Sequence, residues 1–121
     1  MRGVRVAIAA VFLSSSAALA QQAASPGDGA ELRALDKVSG QSTNYELPRG
    51  GEMALGQLTV RLRECRYPEG NPGGDAWAFL EILETNSAEL VFSGWMIASA
   101  PALNAMEHAR YDVWVLRCTT S

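Results

Sequence analysis

From Leu58 to Arg63 the chain alternates strictly, with Leu58, Val60 and Leu62 apolar and Thr59, Arg61 and Arg63 polar. A period of two over this length predicts a strand with one buried face. Cys65 follows out of phase with the leucines. Either a bulge near Glu64 turns it inward, or it lies at a sheet margin. The run Ala76 to Leu83 is apolar on both faces until Glu81, the pattern of a central strand. Leu90 to Ile97 predicts another strand, and Gly94 in its middle marks a bulge or the close approach of another backbone. Thr43 to Leu47 and Tyr111 to Leu116 predict two more.

Turn chemistry separates these runs. Pro48-Arg49-Gly50-Gly51 and Thr85-Asn86-Ser87 read as turns, and Tyr67 to Gly74 as a loop. Pro101 to His108 predicts one short helix, since proline suits a first helical position and Ala102, Leu103, Ala105 and Met106 favour helix. Five to six strands with one short helix predict an all-β fold, a small single-domain β-sandwich or barrel over residues 32–118. A polar tail follows at 119–121, and no internal repeat is visible.

The start of the chain has a different pattern. Arg2 and Arg5 precede the apolar run Val6 to Leu13, and Ala18 and Ala20 are small residues at −3 and −1 of an export cleavage site. The apolar run is shorter than the ~20 residues a membrane span needs. Residues 1–20 are therefore expected to be a cleavable signal peptide, cut between Ala20 and Gln21. Residues 21–31, rich in Ala, Gln, Ser, Pro and Gly, are expected to be a flexible spacer. This predicts an exported, periplasmic protein.

Export changes the charge and the cysteine chemistry. Without Arg2 and Arg5 the chain carries eight basic and thirteen acidic residues, a net charge of −5. That balance argues against nucleic acid and against direct binding to anionic lipid, both of which need clustered Lys or Arg. Cys65 and Cys118, an even pair in an oxidising compartment, predict a structural disulfide. There is no Cys-x-x-Cys for thiol–disulfide exchange, and neither cysteine follows the cleavage site as a lipid anchor would.

Candidate chemistry is sparse. His108 is the only histidine, and no serine stands in a Gly-x-Ser-x-Gly elbow. A hydrolase would have to pair His108 with Glu81 or Asp112. One histidine and two distant cysteines do not make a tetrahedral metal site, and Met53, Met96 and Met106 read as packing rather than copper ligands. No phosphate loop is present. No catalytic residue, metal or cofactor is expected. Trp77, Trp95 and Trp114 could read carbohydrate or peptidoglycan, but their apolar strands favour a place in the core.

Two stretches resemble a known family. Phe92-Ser93-Gly94-Trp95-Met96-Ile97-Ala98-Ser99-Ala100-Pro101-Ala102-Leu103-Asn104-Ala105-Met106-Glu107-His108, followed by Tyr111 to Cys118, is similar to the small exported alphaproteobacterial proteins known as domain of unknown function 2155. Arg33 to Gly40, with its Leu35-Asp36-Lys37 centre, and Cys65 after a Val-Arg-Leu-Arg strand agree. Ala100 and Met106 depart from the Ser and Leu of the pattern. The resemblance covers about residues 33–118 and implies an envelope protein without a recognised catalytic set. It also implies a direction for the partner, because genes of the family tend to lie beside one for an accessory subunit of NADH:ubiquinone oxidoreductase. Leu35, Asp36, Lys37, Trp95, Met96, Pro101 and His108 are the candidate binding positions. The segment Leu32 to Gly40 is expected to lie outside the core as a peptide-like arm. The partner expected is an envelope or membrane protein complex.

Overall fold

A computed structural model describes Gly3 and residues 23–120. Apart from Gly3, the expected export segment and its Ala20–Gln21 junction lie outside the described residues. Eight strands follow in order: β1 (Ala24–Pro26), β2 (Gly29–Asp36), β3 (Ser42–Pro48), β4 (Glu52–Leu55), β5 (Leu58–Pro68), β6 (Trp77–Glu84), β7 (Leu90–Ile97) and β8 (Tyr111–Thr119). A 3-10 helix, Pro101–Asn104, lies between β7 and β8.

The alternation that begins at Leu58 organises the larger sheet. Leu58, Val60 and Leu62 are buried, then a register shift between Leu62 and Glu64 resets the phase and leaves Cys65 fully buried. Of the two readings of Cys65, the inward bulge is the one adopted. β5 pairs with β6 on one edge and with β4 and β1 on the other, and β6 pairs with β7. β6 is central, as its doubly apolar pattern predicts. The smaller sheet runs β3-β2-β8, and every pairing in both sheets is antiparallel.

The two sheets stack as a sandwich. Leu32, Ala34, Val113 and Val115 from the smaller sheet, with Val60, Leu62, Leu80, Ile82 and Met96 from the larger, make one buried cluster. The chain changes sheets at Gly27, where a side chain would press on Cys118 Cβ at 3.0 Å. Gly27 N–H donates to the Cys65 carbonyl (2.7 Å) and Asp28 N–H to that of Thr119 (2.8 Å). Beside this crossing the Cys65–Cys118 disulfide ties β5 to β8, one strand from each sheet.

Several expectations are corrected. The domain starts before residue 32: β1 and the head of β2 occupy much of the expected spacer, with Ala30 fully buried. Among the described residues there are eight strands rather than five or six, because β1 and β4, of three and four residues, are too short to establish a period in the sequence. Leu32 to Gly40 is not an outlying arm. Leu32 is fully buried and β2 is the central strand of the smaller sheet. The helical stretch at Pro101 is a single 3-10 turn that buries none of its residues, so nothing extends it into an α-helix. β8 runs on to Thr119, into the expected tail.

Candidate functional site

β2 ends at Asp36, β6 at Glu84, and β8 begins at Tyr111, so one end of the sandwich gathers several polar groups. His108 lies there, half-buried. Its Nδ1 accepts the backbone N–H groups of Arg110 and Tyr111, both at 3.1 Å. A nitrogen that accepts two donors carries no hydrogen, which assigns the proton of the neutral ring to Nε2, 3.8 Å from Glu84 Oε1. The ring stacks on Tyr111 (5.8 Å, 22°), and the Arg110 guanidinium lies 5.2 Å over the other aromatic ring. Arg110 also reaches Asp36 Oδ2 at 3.2 Å, and this contact holds the Asp36 carboxyl below the usual carboxylate range. Lys37 Nζ donates to the His108 carbonyl at 2.8 Å. Gly56, at φ +57°, fits beneath Tyr111, where any side chain would meet the phenol. The cleft between these groups has a volume of about 300 Å3.

The contacts of this end tie its groups to one another. The carboxylate beside His108 is Glu84, neither Glu81 nor Asp112. Glu81 lies on the outer face of the larger sheet, held by Arg63 through two hydrogen bonds of 3.0 Å. Asp112 stands opposite Leu35 and lines a second cleft of about 350 Å3 with Pro101, Ala102, Ala105, Val113 and Trp114. Among the described residues no group of three or more His, Cys, Asp or Glu is placed to hold a metal ion.

A second surface arises from the alternation of β6. Ala78, Leu80 and Ile82 point inward, so Trp77, Phe79 and Glu81 point outward. β7 sets Met96 inward and Ser93 and Trp95 outward, and the register puts Phe79 beside Trp95 and Trp77 beside Ile97. Phe79 and Trp95 meet edge to face at 5.4 Å and 78°. Arg66, from β5, lies 5.9 Å over the Trp95 ring, which is 38% exposed. The cations of this face are paired: Arg61 with Glu52 (2.8 Å), Arg63 with Glu81 (3.0 Å) and Arg66 with Glu64 (2.5 Å).

The chain beyond β7 is pinned to both strands. Asp75 Oδ1 accepts the N–H groups of Ala76 (2.8 Å) and Ser99 (2.9 Å), and its Oδ2 takes the Ser99 hydroxyl at 2.7 Å. Burial pushes the Asp75 carboxyl up, and the donors of Ser99 and Ala76 outweigh it, leaving the group below its ordinary value. Asn104 Nδ2 donates to the Trp95 carbonyl at 2.7 Å. The close approach expected at Gly94 is this side chain, at 2.9 Å from an added Cβ, and not another backbone.

The candidate positions therefore divide. Asp36, Lys37 and His108 converge at the polar end through Arg110, and Leu35 lies half-buried one residue before them. Trp95 belongs to the aromatic face, Pro101 is exposed at the head of the 3-10 turn, and Met96 is a core residue only 2% exposed. Two of the three tryptophans are not the core packing expected of them. Trp77 and Trp95 share the outer face, and Trp114 covers the core from a half-buried place on β8. Arg66, Phe79 and Arg110 are contributors that the sequence pattern does not single out, and Glu84, three positions from Glu81 and so on the opposite side of the strand, is the carboxylate that meets His108. Phe79 was within reach of that pattern, two residues from Trp77 on the same side of β6.

A curated relative, the "Uncharacterized protein RP359" of Rickettsia prowazekii (strain Madrid E), is 28% identical over 91 residues. That match covers 73% of this chain and 59% of the relative, so the chain spans about three fifths of the relative's length. No solved structure matches the chain. A family model described as an uncharacterized protein conserved in bacteria (DUF2155) matches residues 30–118, and the chain belongs to that family.

Proposed function

We propose that this chain is an exported, non-catalytic binding domain, an accessory or structural component of an envelope protein complex. The observation that carries this reading is the outer face of β6 and β7, where Trp77, Phe79 and Trp95 stand outside the core with Arg66 over the Trp95 ring. Tryptophan and arginine are the residues that most often anchor protein interfaces. The disulfide suits an oxidising compartment. His108, with Nδ1 occupied by two backbone donors, has no free lone pair with which to act as a base. In this proposal the domain uses no cofactor and binds neither nucleic acid nor lipid. The partner to test first is respiratory NADH:ubiquinone oxidoreductase, on its periplasmic side.

Recovery of a tagged chain from solubilised membranes tests the proposal. A membrane complex is expected with the native protein and is expected to be lost with Trp95→Ala. Recovery of the tagged chain alone, all of it in the soluble periplasmic fraction, overturns the reading. One observation favours a second reading: Trp77 and Trp95 share a face, as the indoles of a peptidoglycan or other carbohydrate reader do. Arg66, however, covers the Trp95 ring where a sugar would stack. Soluble peptidoglycan fragments should therefore leave tryptophan fluorescence unchanged in the native protein.

A further inference from the structure

The segment that links β7 to β8 is fastened at two points. Asn104 holds the Trp95 carbonyl at 2.7 Å, and Met106 is buried in the core. Between this segment and β8 lies the cleft of about 350 Å3, a size at which ligand clefts occur. Pro101, Ala102 and Ala105, all exposed, form one wall, and Asp112, Val113 and Trp114 form the other. Asp112 and Trp114 stand two residues apart on β8 and so lie on one face of the strand.

The cleft holds a backbone amide without a partner. Lys37 N–H donates to the Arg110 carbonyl at 2.7 Å. Alternation along the antiparallel β2–β8 ladder then turns the backbone groups of Asp112 and Trp114 toward β2, and those of Tyr111 and Val113 away from it. The Tyr111 N–H fixes this phase independently, because it leaves the sheet to reach His108 Nδ1 at 3.1 Å. Val113 is the next residue on that outward side. Its N–H and C=O meet no hydrogen-bond partner there among the described residues, although the residue is only 1% exposed. Buried backbone groups are nearly always paired, so an orphan pair lining a cleft marks a place where something from outside the chain completes the bonding.

Charge narrows the occupant. The cations on β2 and β8 and beside their ends are engaged elsewhere: Arg33 with Asn44, Arg117 with Glu31, Arg110 with Asp36, and Lys37 with the His108 carbonyl. The half-buried Asp112 carboxylate is left with neither an ion pair nor a hydrogen bond among the described residues. An aromatic ring and an alkyl wall beside a carboxylate suit an arginine, whose stem packs on apolar surface and whose flat guanidinium stacks on a ring while it pairs with an acid. We propose that this cleft receives an arginine of a partner protein together with its peptide bond, the guanidinium on Asp112 and the peptide bond on the free groups of Val113. This rests on the protein-binding reading above and adds a second contact to it, since the 3-10 turn that carries Pro101 and Ala102 also carries the Asn104 that holds Trp95.

The test titrates the purified chain with the blocked tripeptide alanine-arginine-alanine and with its glutamine counterpart, while NMR follows the Val113 amide and the Trp114 indole N–H. The arginine peptide is expected to shift both signals saturably and to bind about fivefold tighter than the glutamine peptide, a preference that weakens as salt is raised. Asp112→Asn keeps the shape of the side chain, so it should leave the domain folded and abolish the preference for arginine. Shifts confined to the Trp95 face, equal affinity for the two peptides, or no shift at either signal overturns the proposal; in the last case water completes the Val113 bonding. An arginine preference that survives in Asp112→Asn overturns it as well. A membrane complex recovered equally well by the native protein and by Asp112→Asn refutes the cleft as a docking site and leaves the accessory reading standing. Where no complex is recovered, that reading fails and the peptide titration alone decides the cleft.

Discussion

Cutting the link between Cys65 and Cys118 should cost this domain a large part of its stability. The two cysteines are 53 positions apart, and chain-entropy reasoning for a closed loop of that size gives about 4 kcal/mol at 25 °C. β5 and β8 belong to different sheets and share no backbone ladder, so no local pairing replaces the bond once it is gone. Cys65 is fully buried and Cys118 nearly so. Serine would add the cost of burying unpartnered hydroxyls, so the cleaner perturbation is Cys65→Ala with Cys118→Ala, beside reduction of the native protein. Against a total of ~5–15 kcal/mol for a small domain, a loss of about 4 is severe. With an unfolding entropy of ~2 cal/mol/K per residue over about 100 residues, it corresponds to a fall in Tm of roughly 20 °C.

Urea unfolding followed by tryptophan fluorescence measures this directly. The double variant and the reduced protein should unfold at much lower urea than the oxidised protein. Their m-values should rise, because a chain without the cross-link exposes more surface when unfolded. A loss below about 1 kcal/mol would refute the reasoning. It would mean that the unfolded chain already keeps the ends of β5 and β8 together, so that the bond restrains little.

Three further outcomes are expected. His108→Ala should cost about 1–2 kcal/mol, since the Arg110 and Tyr111 N–H groups lose their acceptor; denaturation that leaves stability unchanged would show that water replaces the ring. Gly56→Ala should cost about 1–3 kcal/mol because φ is +57° and the methyl meets Tyr111, and thermal melting within a degree of the native protein would contradict this. Asp75 has its folded pKa below the unfolded one, so its contribution is present above about pH 4 and is lost as pH falls through the lowered value. The gap in urea midpoint between the native protein and Asp75→Asn should therefore close on acidification, and a gap constant with pH would refute the assignment.

How far the sequence displayed this fold can be argued from three strands. β5 was plain because a leucine–valine face alternates with threonine and arginine for six residues before the bulge. β2 was obscure because its inward set is Ala30, Leu32 and Ala34, two of them too small to register as a hydrophobic face, while Leu35 sits on the outer side. β6 was recognised as a strand and misread in orientation. Hydrophobic size suggests that Trp77 and Phe79 go inside, yet Ala76 and Ala78 are the fully buried residues there. Small side chains let the β6 backbone approach the opposite sheet, and the large rings turn outward. Alternation was legible; which phase faced the core depended on packing distances between the sheets, which no single strand encodes.

The candidate site was legible only where the chain itself supplied neighbours. Asp36 and Lys37 are adjacent in sequence, and their meeting with His108 depends on Arg110, placed by the β2–β8 pairing across the smaller sheet. Arg66 reaches Trp95 across β6, from a strand about thirty positions away in sequence, and only the shared β6 register brings them together. The polar end has its groups engaged: Arg110 by Asp36, the His108 Nδ1 by two backbone N–H groups, Lys37 by a carbonyl. Groups so engaged lose their present partners if they are to bind anything else. On the β6–β7 side the Trp95 indole keeps Phe79 and Arg66 as neighbours and is still 38% exposed. Covering the open side of the Trp95 ring leaves the Arg66–Glu64 pair in place. For a binding domain, the physical preference therefore falls on the aromatic corner where β7 ends the larger sheet.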